Sequence, residues 1–317
     1  MNVSREISKY RLEINKNLLK IYSIGPKSLV KPVQYVLSGE GKRLRPLLTI
    51  LTTEACGGLK KDAFNSAMAV EILHNFTLVH DDIMDQDSIR HGKYTVHKKW
   101  DDGIAILTGD AMLSLALKLI YKSSTRYDEM QIFIDGLLAV CEGQALDKEF
   151  ESDTEIDINK YIKMIDLKTG YMIGLASEIG AIIGGSNKKM SLILRDYGRL
   201  LGRAFQIQDD YLEIFSNAKG MGKSLKSDIL LGKKTYLMIK ALKKDPSFVK
   251  KAINIAKIDF SKGICKIRDF MINTEIKENT EKEISNIIKK ADSKLNSLDI
   301  NKNKLLYFSD LIRNRGN

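Results

Sequence analysis

Apolar residues recur three and four apart along nearly the whole chain, and only four prolines interrupt them, at Pro26, Pro32, Pro46 and Pro246. That spacing is the period of an α-helix, and no strand-like alternation persists anywhere. The pattern predicts an all-α fold with helices over about 2–22, 28–38, 45–56, 61–84, 103–122, 127–149, 156–184, 189–215, 233–243, 247–257, 261–272, 278–296 and 303–313. Segments richer in Gly, Ser or charge separate them, among them "SGEGKR", "RHGKYTVHKKWDDG", "GGSNKK" and "SNAKGMGKSLKSD". With 317 residues, 44% of them hydrophobic, the chain can bury a sizeable core and is read as one domain, 1–317.

The helix over 61–84 is apolar almost all round, which places it at the centre of a bundle. It nevertheless ends in "HDDIMD", His80 to Asp85. Asp81 and Asp85 are four apart and share one helix face, while Asp82 turns away by roughly 100°. Two carboxylates on one face of a buried helix repel each other unless a cation lies between them. The segment "QIQDDYLE" repeats the arrangement with Asp209 and Glu213. Two such pairs offer hard oxygen ligands, which suit Mg²⁺ because it accepts one or two carboxylates and keeps positions for water and phosphate oxygens.

The basic residues near these acids fit a phosphate. Lys42, Arg43 and Arg45 precede a helix, Arg90 follows Asp85 by five residues, Lys168 and Thr169 lie in mid-helix, and Lys223, Lys226, Lys233 and Lys234 follow the second acid pair. Guanidinium forks and ammonium groups are the side chains that hold diphosphates. The chain has no "GxxxxGK[ST]" loop, so the phosphate site is not of the Walker type.

The net charge of +11 admits nucleic acid, a membrane surface or an anionic substrate. Much of the excess is lysine scattered over the C-terminal third, read as solvated helix faces. The remaining cations cluster around acids rather than interleave with aromatics, which argues against nucleic acid. The most apolar stretches are interrupted by Asp110 and Lys118, and by Glu178, so no stable membrane insertion is expected. The N-terminus lacks the apolar core of a signal peptide, and the protein is expected to be soluble and cytoplasmic. Cys56, Cys141 and Cys265 are widely separated and read as packing residues.

The motifs "GKRLRP" (41–46), "EILHNFTLVHDDIMD" (71–85), "RHG" (90–92), "LTGDAML" (107–113), "LKTG" (167–170), "FQIQDDYLE" (205–213) and "GKSLKSDILLGKKT" (222–235) occur in that order. In this combination, strongest over roughly 36–240, the chain resembles the trans-type polyprenyl diphosphate synthases, which include farnesyl and geranylgeranyl diphosphate synthases. The resemblance implies an isoprenoid-synthase-type helical bundle around a deep central cavity, assembled as a homodimer. It also implies head-to-tail condensation of isopentenyl diphosphate with an allylic diphosphate, assisted by three Mg²⁺. By the same resemblance Asp81, Asp85, Asp209 and Glu213 are metal ligands, and Asp82 supports the first pair. Arg90, Lys168, Thr169, Gln206, Lys223 and Lys233 would hold the allylic diphosphate. Lys42, Arg45 and His74, with His91, would meet isopentenyl diphosphate.

Two positions depart from the family pattern. His91 stands where a second arginine is usual, and a neutral imidazole cannot fork a phosphate. Glu213 stands where the second motif usually ends in aspartate, and it keeps the charge on a longer arm. In the family, bulk at the positions five and four before the first aspartate limits product length, and here these are Phe76 and Thr77. One aromatic gate resembles the geranylgeranyl-forming pattern, with farnesyl diphosphate as the alternative. His80 and His97 read as structural histidines, Trp100 as a packing anchor, and 216–228 as a lid over bound diphosphate. The competing readings are a class I terpene cyclase, whose "NDxxSxxxE" motif is missing, and a noncatalytic subunit of a heteromeric prenyltransferase, against which the intact acids argue.

Overall fold

The computed structural model describes residues 3–39, 41–123, 127–153, 156–215 and 233–314, and they are overwhelmingly helical. The order is α1 (Val3–Leu18), α2 (Lys27–Leu37), α3 (Leu44–Ala55), α4 (Lys60–Met84), β1 (Ile89–Arg90), β2 (Lys93–Tyr94), α5 (Val96–Lys99), α6 (Asp102–Ser123) and α7 (Tyr127–Ser152). Next come α8 (Ile158–Ile165), a π-helical turn (Asp166–Gly170), α9 (Tyr171–Ile183) and α10 (Lys188–Phe215). The described chain ends with α11 (Tyr236–Lys244), α12 (Pro246–Ile258), α13 (Phe260–Asn273), α14 (Ile276–Asn296) and α15 (Asn303–Arg313). The all-α expectation holds, and most predicted helix ends fall within a few residues of the observed ones.

Residue contacts divide the chain into two compact units. The first comprises 1–137, 175–195 and 298–307, and the second 138–174, 196–297 and 308–317. In the first, α4 is the central helix and packs against α3 and α6. Its buried residues, among them Ala67, Met68, Val70, Ile72, Leu73, Phe76 and Val79, surround the helix rather than line one stripe, as the sequence predicts. In the second unit, α12 and α13 begin at Asp245 and Asp259, whose side chains accept the backbone N–H groups of Phe248 and Lys262. Each such cap satisfies an orphan donor of the first helical turn and stabilises the helix by about 1 kcal/mol.

Three features correct the sequence reading. The expected helix over 156–184 is broken by the π turn at Asp166–Gly170. A two-residue antiparallel ribbon, with Ile89 opposite Tyr94 and Arg90 opposite Lys93, stands where no strand was expected. Its turn has positive φ at both central residues, +48° at His91 and +76° at Gly92, the left-handed pair that a two-residue hairpin requires. Finally, the cysteines do not pack as core: Cys141 and Cys265 are exposed and Cys56 is half-buried. Trp100 does anchor locally, edge-on to Tyr35 with ring centroids 5.3 Å apart.

Candidate functional site

In the first unit the site begins at the C-terminal end of α4. Asp81 and Asp85 lie one turn apart and are both partly exposed, and the backbone N–H of Asp85, which caps the helix, donates to the Asp81 carbonyl at 2.8 Å. Asp82 points the other way and is buried, 4% exposed. Its Oδ1 accepts Arg90 Nε at 2.5 Å, and the same guanidinium lies 3.6 Å from Asp87. Burial outweighs the Arg90 charge and pushes the Asp82 carboxyl up to about 6. Asp82 therefore ties the end of α4 to the ribbon that carries Arg90.

Cations gather around the same helix. The His74 imidazole is held well below its ordinary 6.5 by burial and by the nearby charges of Arg45, Arg90, Arg43 and His91. His91 is lowered too, by burial and by Arg90 and Arg43. Three guanidiniums thus surround two imidazoles whose pKa values lie below the ordinary 6.5, although Arg43 is matched by Glu71 and Arg90 by Asp82. Arg45 and His74 lie in this cluster, while Lys42 is exposed beside it. Arg43 is structural: it is buried, ion-paired to Glu71 at 2.7 Å, and donates to Asn15 Oδ1 and to the carbonyls of Leu37 and Gly39. Phe76 is buried, and Thr77 is half-buried with its hydroxyl donated to the His74 carbonyl at 2.8 Å. His80 Nε2 lies 3.3 Å from the Ile106 carbonyl, while His97 is buried with neither ring nitrogen hydrogen-bonded among the described residues.

The second unit repeats the division of labour within its acid pair. Asp210 is buried, and its Oδ2 accepts the Tyr161 hydroxyl at 2.6 Å and the Tyr236 backbone N–H at 2.8 Å. Burial pushes this carboxyl up to about 6 against those bonds. Asp209, the predicted ligand, is half-buried beside it, as is Glu213 one turn on. Asp210 Oδ1 accepts Gln206 Nε2 at 3.2 Å, and Gln206 Oε1 accepts the Thr169 hydroxyl at 3.0 Å. Lys168 lies on the π turn with its Nζ 2.6 Å from Asp147 Oδ2. Lys168, Thr169, Gln206 and Asp209 therefore belong to one neighbourhood, and Asp147, Tyr161 and Asp210 join it without having been singled out. Lys233 is half-buried, and Lys234 donates to the carbonyls of Phe150 and Asp153. Lys223, Lys226 and the whole of the predicted lid, 216–228, lie outside the described residues.

Among the described residues no three His, Cys, Asp or Glu side chains converge as a closed metal cage. The donor chemistry fits Mg²⁺ all the same, since that ion binds through one or two carboxylates and completes its shell with water and phosphate oxygens. Asp81 with Asp85, and Asp209 with Glu213, are such open pairs.

The sequence model of the polyprenyl synthetase family matches residues 26–268, a span that includes both acid motifs and every cation cluster described above. The chain belongs to the polyprenyl synthetase family. The short chain isoprenyl diphosphate synthase of Methanothermobacter thermautotrophicus is 40% identical over 227 residues, 71% of this chain and 70% of that one. The geranylgeranyl diphosphate synthase of Saccharolobus solfataricus is 41% identical over 222 residues, 68% and 67% of the two chains. A solved geranylgeranyl pyrophosphate synthase aligns over 98% of both chains with a TM-score of 0.88 and 38% identity. The fold of this polyprenyl synthetase is thus the helical isoprenyl synthase fold.

Proposed function

We propose that this chain is a short-chain trans-prenyltransferase that condenses isopentenyl diphosphate head-to-tail with an allylic diphosphate, giving geranylgeranyl diphosphate or a product close to it in length. The observation that carries the reading is the matched design of the two acid motifs. In each, one aspartate is buried as an anchor while its neighbour is left partly exposed. Membership of the polyprenyl synthetase family, with relatives named for this activity, supports it.

Each unit takes its own share of the chemistry. In the first, Asp81 and Asp85 bind Mg²⁺, Arg90 meets the allylic diphosphate, and Lys42, Arg45, His74 and His91 hold isopentenyl diphosphate. Neutral His74 serves there as a hydrogen-bond donor rather than a charge. In the second, Asp209 and Glu213 bind Mg²⁺, and Lys168, Thr169, Gln206, Lys223 and Lys233 hold the allylic diphosphate. Mg²⁺, three ions in this reading, supplies the positive charge that makes the diphosphate a good leaving group when the allylic C–O bond ionises. Lys168 and Arg90 add fixed charge where the leaving group gathers electrons. The apolar residues of α4 exclude water from the cation, and Phe76 sets how far the growing chain extends.

The reading takes the whole chain, 1–317, as one catalytic domain, since the family match runs through both compact units. It also makes the protein a cytoplasmic homodimer. Helix α6 is the one described helix long and apolar enough to cross a membrane, with only a third of its most apolar window buried. Asp110 and Lys118 lie on its exposed side, and Ile106, Leu107 and Tyr121 are exposed with them. That mixed face suits a second copy better than lipid.

Incubation of the purified chain with Mg²⁺, isopentenyl diphosphate and dimethylallyl, geranyl or farnesyl diphosphate tests the function. Chromatography of the dephosphorylated products should show chains up to about geranylgeranyl length. Cyclic hydrocarbons, or no turnover with any primer, would sink the proposal.

A further inference from the structure

The π turn between α8 and α9 is held from one side by a single face of α10. Asp166, its first residue, is buried, 6% exposed, and both carboxylate oxygens are engaged by guanidiniums. Arg199 Nη2 donates to Oδ2, and Arg203 Nε donates to Oδ1 at 2.8 Å. Burial alone would raise the Asp166 carboxyl, but the two guanidiniums outweigh it and hold it below the usual carboxylate range, and the Asp166 carboxylate in turn raises the Arg199 guanidinium above its ordinary value. Arg199 also lies over the Tyr171 ring, 5.0 Å from its centroid. Thr169, the fourth residue of the turn, is bonded to Gln206. Residues 199, 203 and 206 follow at the four- and three-residue steps of one helix face. The α10 stripe therefore grips the turn at both ends.

Close backbone contact leaves the turn little freedom. A Cβ at Gly202, on the same face of α10, would fall 2.6 Å from the Gly170 Cα. A Cβ at Gly143 of α7 would fall 2.4 Å from the Lys168 backbone nitrogen. The two residues that carry the amino and hydroxyl groups, Lys168 and Thr169, thus lie on a wide turn packed between two helices. A π turn is an uncommon and costly conformation, retained where it does a job. An ordinary α-helix through 156–184 would need no buried ion pair to hold it.

We propose that Asp166, clamped by Arg199 and Arg203, is a positioning residue: it holds the π turn, and so sets where Lys168 and Thr169 present their amino and hydroxyl groups to the allylic diphosphate. The inference rests on the assignment of Lys168 and Thr169 to that substrate. Asp166 does not touch the diphosphate. Releasing it lets the turn relax toward α geometry, which rotates Lys168 and Thr169 about the helix axis and away from the leaving group.

The test is a double-mutant cycle read as separate KM values for the two substrates, with kcat, in Lys168→Ala, Asp166→Asn, Asp166→Ala and the Lys168→Ala/Asp166→Asn pair. Asp166→Asn keeps the shape and removes the charge, so it remains readable should Asp166→Ala fold poorly. Binding of a non-ionising allylic thiolodiphosphate by calorimetry supplies a readout without turnover. Lys168→Ala and Asp166→Asn should each raise the allylic KM and weaken thiolodiphosphate binding about tenfold. The KM for isopentenyl diphosphate should stay within about twofold. The double variant should lose less than the product of the two single losses, because the Lys168 contact is removed by both changes and only the Thr169 contact is lost in addition. Additive losses, or equal effects on both substrates, would show that Asp166 acts only on stability and overturn the inference. An unaltered allylic KM in Lys168→Ala would instead overturn the placement of the diphosphate, and the inference with it.

Discussion

The Phe76 ring meets the His80 imidazole edge-on, with centroids 4.8 Å apart and planes inclined by 64°. The two residues are one turn apart on α4. The imidazole fills a notch in α6 at Gly109, where a Cβ would come within 2.1 Å of His80 Nε2. Such an edge contact contributes about 1 kcal/mol beyond simple burial. Phe76 is thus braced from the aspartate side.

The proposed function gives Phe76 the role of setting product length. Below Phe76 on α4 lie Leu73, Val70 and Ala69, all buried and smaller than an aromatic ring. Phe76→Ala should therefore lengthen the products by at least one isoprene unit, and Thr77→Phe should shorten them toward farnesyl diphosphate. Chromatography after dephosphorylation decides between this and a floor built by other residues, which would leave both distributions unaltered.

The metal acids should separate cleanly from their buried neighbours. Asp81→Ala, Asp85→Ala and Asp209→Ala remove a ligand and should each lower turnover by about a thousandfold or more while thermal unfolding stays near that of the parent chain. Asp210→Ala removes the acceptor of Tyr161 and Tyr236, and should instead destabilise the fold by about 2 kcal/mol. A chelator should abolish turnover and added Mg²⁺ restore it. Near-normal turnover in Asp81→Ala would remove the metal assignment.

The Arg43–Glu71 pair gives a stability prediction free of catalysis. Both side chains are under 5% exposed, and Arg43 links α1, the α2–α3 connection and α4. Glu71→Ala leaves a buried guanidinium unmatched and should cost about 3 kcal/mol. The midpoint of denaturant unfolding measures it, and a loss below about 1 kcal/mol would mean that the backbone carbonyls around Arg43 suffice.

The contrast between Arg43 and Arg45 shows where sequence reading stops. Spacing identifies α4, its terminal acids and the turn of Asp82 away from Asp81 and Asp85, because helical geometry is local and the three acids lie within two turns of one another. It cannot distinguish two arginines two residues apart, one buried on Glu71 and the other beside His74, because their partners lie on another helix. The π turn escapes for the same reason: Asp166 finds its arginines 33 and 37 residues away. The ribbon escapes because two-residue strands carry no alternation, although "HG" at its tip is a left-handed turn pair. Asp147, the partner of Lys168, sits in "GQALD" with nothing local to mark it.

His91 offers the sharpest test of the isopentenyl diphosphate assignment. Its φ of +48° at the hairpin tip is fixed by the turn rather than by the side chain, so an arginine there inherits the same backbone. Burial, Arg90 and Arg43 all oppose the imidazolium, so the residue takes its proton only below its ordinary 6.5 and carries no charge at pH 7. Because the folded-state value is depressed, the stability this neutral form contributes is present above 6.5 and lost as pH falls through the lowered value. His91→Arg should add a permanent fork and lower the KM for isopentenyl diphosphate several-fold, leaving the allylic KM nearly unaltered. The gain should hold from about pH 7 to pH 8.5, where a guanidinium stays charged and the imidazole stays neutral. Two neighbouring guanidiniums repel the newcomer in the absence of phosphate, so the same substitution should lower the unfolding midpoint slightly and recover it when isopentenyl diphosphate is added. Equal KM values for both substrates in the variant and the parent would mean that residue 91 points away from the diphosphate.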